Sequence, residues 1–200
     1  PNVNSVLVIA LGCETIQGQE LAAKLLGRNE STQYRIIQES GGVEGTVAAG
    51  VKAARELNAA YPAAPAEIAH LRIGLDLARP VAQLAALEKL LHEAGYEVVT
   101  SQSESSSAES FTRLAQEKAH IILSFPDNAQ PASGFPLIPV INVAGSGVLH
   151  QAIKRDFDIQ ESNLLSEILP LIAKVAAGSQ TVAEANKSGE IRAPRVVRSV

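Results

Sequence analysis

The 200-residue chain has one cysteine, no methionine and no tryptophan. A single thiol excludes an internal disulfide framework and fits a reducing compartment, so a cytoplasmic location is expected. Without methionine there is no initiator, and Pro1 stands directly before a strand-like run; the expectation is a piece excised from a longer polypeptide. Aromatic residues are scarce at 4%, so the apolar content is carried by Ala, Val, Leu and Ile. That composition favours helices packed on aliphatic strands over an aromatic binding surface. Positive charge is also short: the net charge is −4, and no clustered basic face is present to hold phosphates, so no nucleic-acid partner is expected. Arg192, Arg195 and Arg198 close the chain in what reads as a solvated tail over 191–200. No apolar run approaches the ~20 residues that span a bilayer. The opening run Val6–Leu11 is too short, and lacks the basic lead, for a cleavable signal peptide.

What is present is the make-up of a globular α/β protein, 46% hydrophobic and 19% charged. Ser5–Leu11 is a continuous apolar run, the pattern of a strand buried on both faces. Helical spacing follows over Gly18–Leu26, with a stop at Gly27. Short strands are expected at Tyr34–Gln38, His70–Leu75, Glu97–Thr100, His120–Ser124 and Pro139–Val143. Helices are expected over about Val43–Ala60, Val81–Ala94, Ser107–Ala119, Gly147–Arg155 and Ser162–Ala177, with a short one from Thr181. Strands alternating with helices predict a mostly parallel sheet of about six strands with helices on both faces. A boundary near Pro62–Glu67 or Ser101–Ser107 is open, but one domain over 1–190 is the reading adopted.

In an open parallel sheet, ligands gather beyond the carboxyl ends of the strands. The loop after the first strand is Leu11-Gly12-Cys13-Glu14-Thr15. Its adjacent thiol and carboxylate are able to ligate a metal or act on a substrate, although a lone cysteine is more often a small buried hydrophobe. The loop after the second strand is Gln38-Glu39-Ser40-Gly41-Gly42, running straight into a helix. Its glycines let the backbone approach an anionic group, and an ordinary tight turn fits equally well. His70, His92, His120 and His150 show no ligand spacing, so a self-contained zinc site is not expected. No Walker loop, complete G-x-G-x-x-G or G-x-S-x-G elbow is present. Gly145-Ser146-Gly147 opens the helix carrying His150 and Lys154, and Asp156 and Asp158 form a loose acidic pair.

Taken in order, several stretches resemble the D-galactarate/altronate dehydratase family, read here as its C-terminal part. Val6-Leu-Val-Ile-Ala-Leu-Gly-Cys-Glu-Thr15 resembles that family's strand ending in G-L-G-C-E-x-N-Q, with Ile16-Gln17 where Asn-Gln is usual. Ile36-Ile-Gln-Glu-Ser-Gly-Gly42 is similar to its I-Q-x-x-G-G-T turn, with Val43 in place of the Thr. Ala119–Val143, Asp156–Ile159 and Val175–Glu184 resemble its later segments. The middle departs: where the family carries G-L-x-C-G-G-S-D-G, this chain reads Gly74-Leu75-Asp76-Leu77-Ala78-Arg79-Pro80. The resemblance implies loss of water from a sugar acid, assisted by a divalent metal, iron in this family. On that implication Cys13, Glu14 and Glu39 are the catalytic candidates, and Cys13 and Glu14 the metal ligands. Thr15, Gln38, Ser40, Gly41 and Gly42 then contact the substrate. A homo-oligomer, or an upstream domain or partner subunit bringing the missing central residues, is compatible with it. The replaced central motif points instead to a non-catalytic binding or subunit-interaction domain. A flavodoxin-like nucleotide binder is the third reading.

Overall fold

The computed structural model describes residues 3, 5–15, 17–27, 31–60 and 71–191. The stretch read as one domain over 1–190 divides, in its contacts, into two compact units, one over 3–64 and one over 65–200. The division falls at the Ala/Pro connector where the first of the two open boundaries lies; residues 61–70, His70 included, and the tail 192–200 are outside the described residues. The α/β class and parallel pairing hold, but the strands belong to two sheets. No described helix is long and apolar enough to cross a membrane.

In the first unit, β1 (Val6–Ala10) and β2 (Thr32–Ile36) pair in parallel, with Val6 opposite Thr32 and Ala10 opposite Ile36. Helices α1 (Gly18–Leu26) and α2 (Gly42–Ala60) complete two strand–helix pairs. Small residues allow the close packing. Ala22 is buried on α1, and Gly50 and Ala53 on α2. A Cβ built on Gly18 would sit 2.2 Å from the Ala10 Cβ. Two effects therefore compete in Gly18→Ala. Helix propensity favours alanine by ~1 kcal/mol, whereas overpacking typically costs ~1–3 kcal/mol. Because the contact is with a strand residue and not a flexible chain end, the substitution should destabilise this unit, read as a lower urea midpoint.

The second unit is a five-stranded parallel sheet. Its strands are β3 (Arg72–Leu77), β4 (Glu97–Gln102), β5 (Ile121–Phe125), β6 (Val140–Ala144) and β7 (Ile159–Gln160), in spatial order β4-β3-β5-β6-β7. Counted within the unit this is the doubly wound order 2-1-3-4-5, whose direction reverses between β3 and β5. Helices α3 (Leu84–Glu93), α4 (Ala108–Gln116) and α5 (Val148–Ala152) make three of the crossovers, a loop over 126–139 joins β5 to β6, and α6 (Leu164–Ala176) and α7 (Val182–Ala185) close the unit.

Alternation along the strands builds two cores. Ile73, Leu75, Leu77, Ile121, Leu123, Phe125, Ile141 and Val143 pack with Leu87 and Leu91 of α3 and Leu164, Ile168 and Ile172 of α6. The opposite face carries Ile122 and Val140 against Phe111 and Leu114 of α4, with Phe135 and Ile138. Gly74 lies on that face because a side chain there would meet Leu114 and Ala119 at 3.1–3.3 Å. The caps follow sequence logic: Ser107 and Ser110 form a reciprocal cap on α4, and Thr181 and Glu184 do so on α7.

Candidate functional site

Because β1 and β2 are parallel neighbours, the loops that follow them leave from the same end of the pair. The backbone ladder continues past the strands, with Ile37 N–H donating to Ala10 O at 2.9 Å and Gln38 N–H to Leu11 O at 3.4 Å. Gly12, at φ +112°, lies against the Gln38 side chain: a Cβ there would be 2.8 Å from Gln38 Oε1. The two loops read as site candidates are therefore in contact.

Within the first loop, the Glu14 carboxylate turns back onto its own backbone. It accepts from Gly12 N–H at 2.7 Å and from Leu11 N–H. Hydrogen bonds from its own N–H, then from Gly12 and Leu11, hold this carboxyl below the usual range. Glu14 thus clamps the loop, a placement that sequence spacing does not reveal. Cys13 and Thr15 beside it are exposed.

In the second loop Gly41 and Gly42 take φ of +81° and +79°, with no atom of the described residues within 4 Å of where a Cβ would be. Backbone conformation, not space, demands glycine at these two positions. Gly42 N–H donates to Ile37 O, and the Gly42 carbonyl accepts from Thr46 Oγ1 at 2.6 Å, tying the turn to the first turn of α2. Gly45 was missed from sequence: its Cβ would fall 2.0 Å from the Ser40 carbonyl oxygen, so the turn closes only over a residue without one. Gln38 and Glu39 are exposed, and Glu39 and Ser40 help line a cavity of about 570 Å³ beside Gln33, Tyr34 and Arg35.

The family resemblance implies iron, which would need several converging donors. Among the described residues no three His, Cys, Asp or Glu side chains converge, and both Glu14 oxygens already accept backbone N–H groups. Cys13 and Glu14 by themselves do not fit an iron site.

The second unit holds a polar constellation that the sequence reading passed over. Asp76 is opposite Ser124, and Ser124 opposite Asn142, across β3, β5 and β6. All three are fully buried. They form one row on the α4 face at the carboxyl end of the sheet. Asp76 accepts from Ser106 Oγ at 2.5 Å, Ser124 Oγ at 2.9 Å and Ser103 Oγ at 3.3 Å. Burial nevertheless pushes its carboxyl up, against the lowering effect of these hydroxyls. Asn142 binds both backbone groups of Ser133, at 2.9 Å and 3.2 Å. The row therefore pins the Ser-rich loop after β4 and the Gly/Pro loop after β5 onto the sheet. The available signal was one polar residue near the end of each otherwise apolar strand.

Nearby, Arg79 is buried and its Nη1 donates to Glu161 Oε2 at 2.7 Å. His150 accepts from Gly145 N–H through Nδ1 at 2.8 Å, which puts its proton on Nε2, 2.8 Å from Gln130 O. It is buried against the Phe157 ring. His120 accepts Arg72 N–H at 3.0 Å, and burial lowers its pKa. Asp158 accepts from Asn142 and Val182 N–H, both at 2.8 Å, with its carboxyl raised by burial. These groups, and Asp156 out on the surface, support loops more than they assemble a reactive centre.

No curated protein matches the chain. Among solved structures, a chain of the Salmonella typhimurium RcsB response regulator, studied for conformational dynamism in DNA interaction, aligns at 13% identity. It covers 58% of this chain and 67% of its own, with a TM-score of 0.38, too low to carry an argument. Leu77-Ala78-Arg79-Pro80 and the later resembling segments lie in the second unit, beyond the family match. That match covers the part of the chain bearing both candidate loops: residues 1–61 match the family of D-galactarate dehydratase/Altronate hydrolase, in its second domain where the sequence reading took the C-terminal part.

Proposed function

We propose that the first unit supplies the substrate loops of a sugar-acid hydro-lyase acting on galactarate- or altronate-like compounds. The observation that carries this reading is the family match over 1–61, which includes both loops at one end of the β1–β2 pair. In the reaction the C–H bond beside the substrate carboxylate breaks, the neighbouring C–O bond breaks, and the hydroxyl leaves as water. The resulting enol tautomerises to a 2-keto acid, so atoms balance with no added redox partner. Cys13 and Glu39, both exposed, take and return the proton. Thr15, Gln38 and Ser40 offer hydrogen bonds to substrate hydroxyls and carboxylate. Gly41 and Gly42 bring the backbone and the amino end of α2 within reach of negative charge. Glu14 keeps the Cys13 loop in place. Metal binding at this site requires donors beyond the described residues.

The test is keto-acid formation from galactarate and altronate by the full chain, with and without added ferrous iron. Cys13→Ala and Glu39→Gln should each lower turnover by ~10²-fold or more. Turnover unchanged in both variants would remove these roles. A second reading, a binding or subunit-interaction module without catalysis, is favoured by one observation. Where the family carries C-G-G-S, this chain has Leu77-Ala78-Arg79-Pro80, and Arg79 is committed to a buried ion pair. That reading predicts sugar-acid binding at the same loops and no keto acid.

A further inference from the structure

At the carboxyl ends of β6 and β7, to one side of the switch between β3 and β5, the second unit has a cleft of about 250 Å³. Its polar lining is Gln83, Ser146, Gln151, Gln160, Glu161 and Ser162, with Gly145 in the floor. Among the described residues two buried polar atoms lack a hydrogen-bond partner: Gln83 Oε1, on a side chain that lines this cleft, and Arg79 Nε, on one that does not. Unpaired buried polar groups are uncommon and call for a cause. Arg79 lies directly beneath the floor: its Nε is 3.0 Å from where a Cβ on Gly145 would be, and its side chain is only 5% exposed.

From this arrangement we infer that the cleft binds an uncharged, polyhydroxylated small molecule of about monosaccharide size. The charge balance selects against an anion. Among the described residues no Lys, Arg or His lines the cleft, and Arg79, close to Gly145, already pairs with Glu161 at 2.7 Å while its Nη2 reaches the Val143 carbonyl. The three primary amides each present a donor and an acceptor, which is what a run of neighbouring hydroxyls satisfies. Gln151 Nε2 donates to Gly145 O at 3.1 Å and to Gln160 Oε1 at 3.4 Å, which holds two of the amides side by side. Gln83 is half-buried, and its carbonyl oxygen is the acceptor left for a ligand hydroxyl. The volume falls just below the ~300–1,000 Å³ usual for ligand pockets, which limits the occupant to one ring or one short polyol.

The experiment is a titration of the full chain with D-sorbitol and, separately, with galactarate, followed by backbone and side-chain amide NMR shifts. Sorbitol should give saturable shifts at Gln83, Gln151 and Gln160. Gln83→Leu should weaken sorbitol binding tenfold or more with the fold intact by circular dichroism, and the exposed Gln151→Leu should weaken it as well. No saturable sorbitol shifts at these residues, or binding unchanged in both variants, overturns the inference. Galactarate shifting these same residues more strongly than sorbitol overturns the choice of an uncharged ligand. Because the sugar-acid loops lie at 11–15 and 37–42, success or failure there is read on separate resonances.

Discussion

Replacing Asp76 with alanine should destabilise the 65–200 unit by ~2–4 kcal/mol, while Asp76→Asn should change it by less than about 1 kcal/mol. Alanine leaves the Ser103, Ser106 and Ser124 hydroxyls without the acceptor they share. Asparagine keeps an acceptor and removes a charge that burial disfavours. The two variants also separate in pH. Asp76 has its carboxyl raised in the fold from an ordinary 3.8. A group raised in the folded state contributes stability that is complete below the unfolded value and is lost as pH rises through the folded value. The wild-type unit should therefore lose this contribution on going upward from pH ~4, and Asp76→Asn should flatten that slope. Urea midpoints between pH 3.5 and 7 measure it. Asp158, also raised by burial, adds a slope of the same sign that remains in the variant.

The second large effect belongs to the Arg79–Glu161 pair and is asymmetric. Glu161→Ala leaves a guanidinium that is 5% exposed without its counter-charge, and should cost about 3 kcal/mol, the low end for a broken buried pair. The low end applies because the Glu161 side chain keeps 23% exposure. Arg79→Met should cost less, because the remaining carboxylate has access to water and the methionine stem fills much of the vacated space. The double variant should recover most of the loss from Glu161→Ala. Thermal unfolding of the three variants checks the ranking; Arg79→Met costing more than Glu161→Ala would contradict it.

Much of the architecture is readable from residues, and the misses have local causes. The apolar run Ser5–Leu11 and the pattern over Gly18–Leu26 land within a residue of the observed elements, because both are bounded by turn residues. Ser107 is the cap it looks like. The second strand ends at Ile36, two residues early, because Ile37–Gly42 is held by turn hydrogen bonds to Ile36 and Ile37 carbonyls. The third strand runs on to Leu77, since Asp76 is satisfied inside the fold by three hydroxyls and does not end the strand. Periodicity misses β7, a two-residue strand. Pattern alone also does not separate one six-strand sheet from a parallel pair plus a five-stranded sheet, because both need the same apolar runs.

The candidate site was legible in part. Cys13, Gln38, Gly41 and Gly42 sit on loops that the strand-end rule selects. What spacing could not supply is orientation: Glu14 folds back on Leu11 and Gly12 N–H groups. Asp76 was read only as one residue of the run Gly74–Pro80, at a variable position, whereas its partners Ser106 and Ser124 lie 30 and 48 residues away. A contact of that separation becomes visible only when the strand register is known.

The central claim is that the loops after β1 and β2 bind a sugar acid together. Amide NMR of the full chain titrated with galactarate tests it most directly. Saturable shifts at Gly12, Cys13, Thr15, Gln38, Gly41 and Gly42, following one binding curve, are the predicted result. Shifts absent from both loops at saturation elsewhere, or two loops responding with unrelated curves, would contradict it.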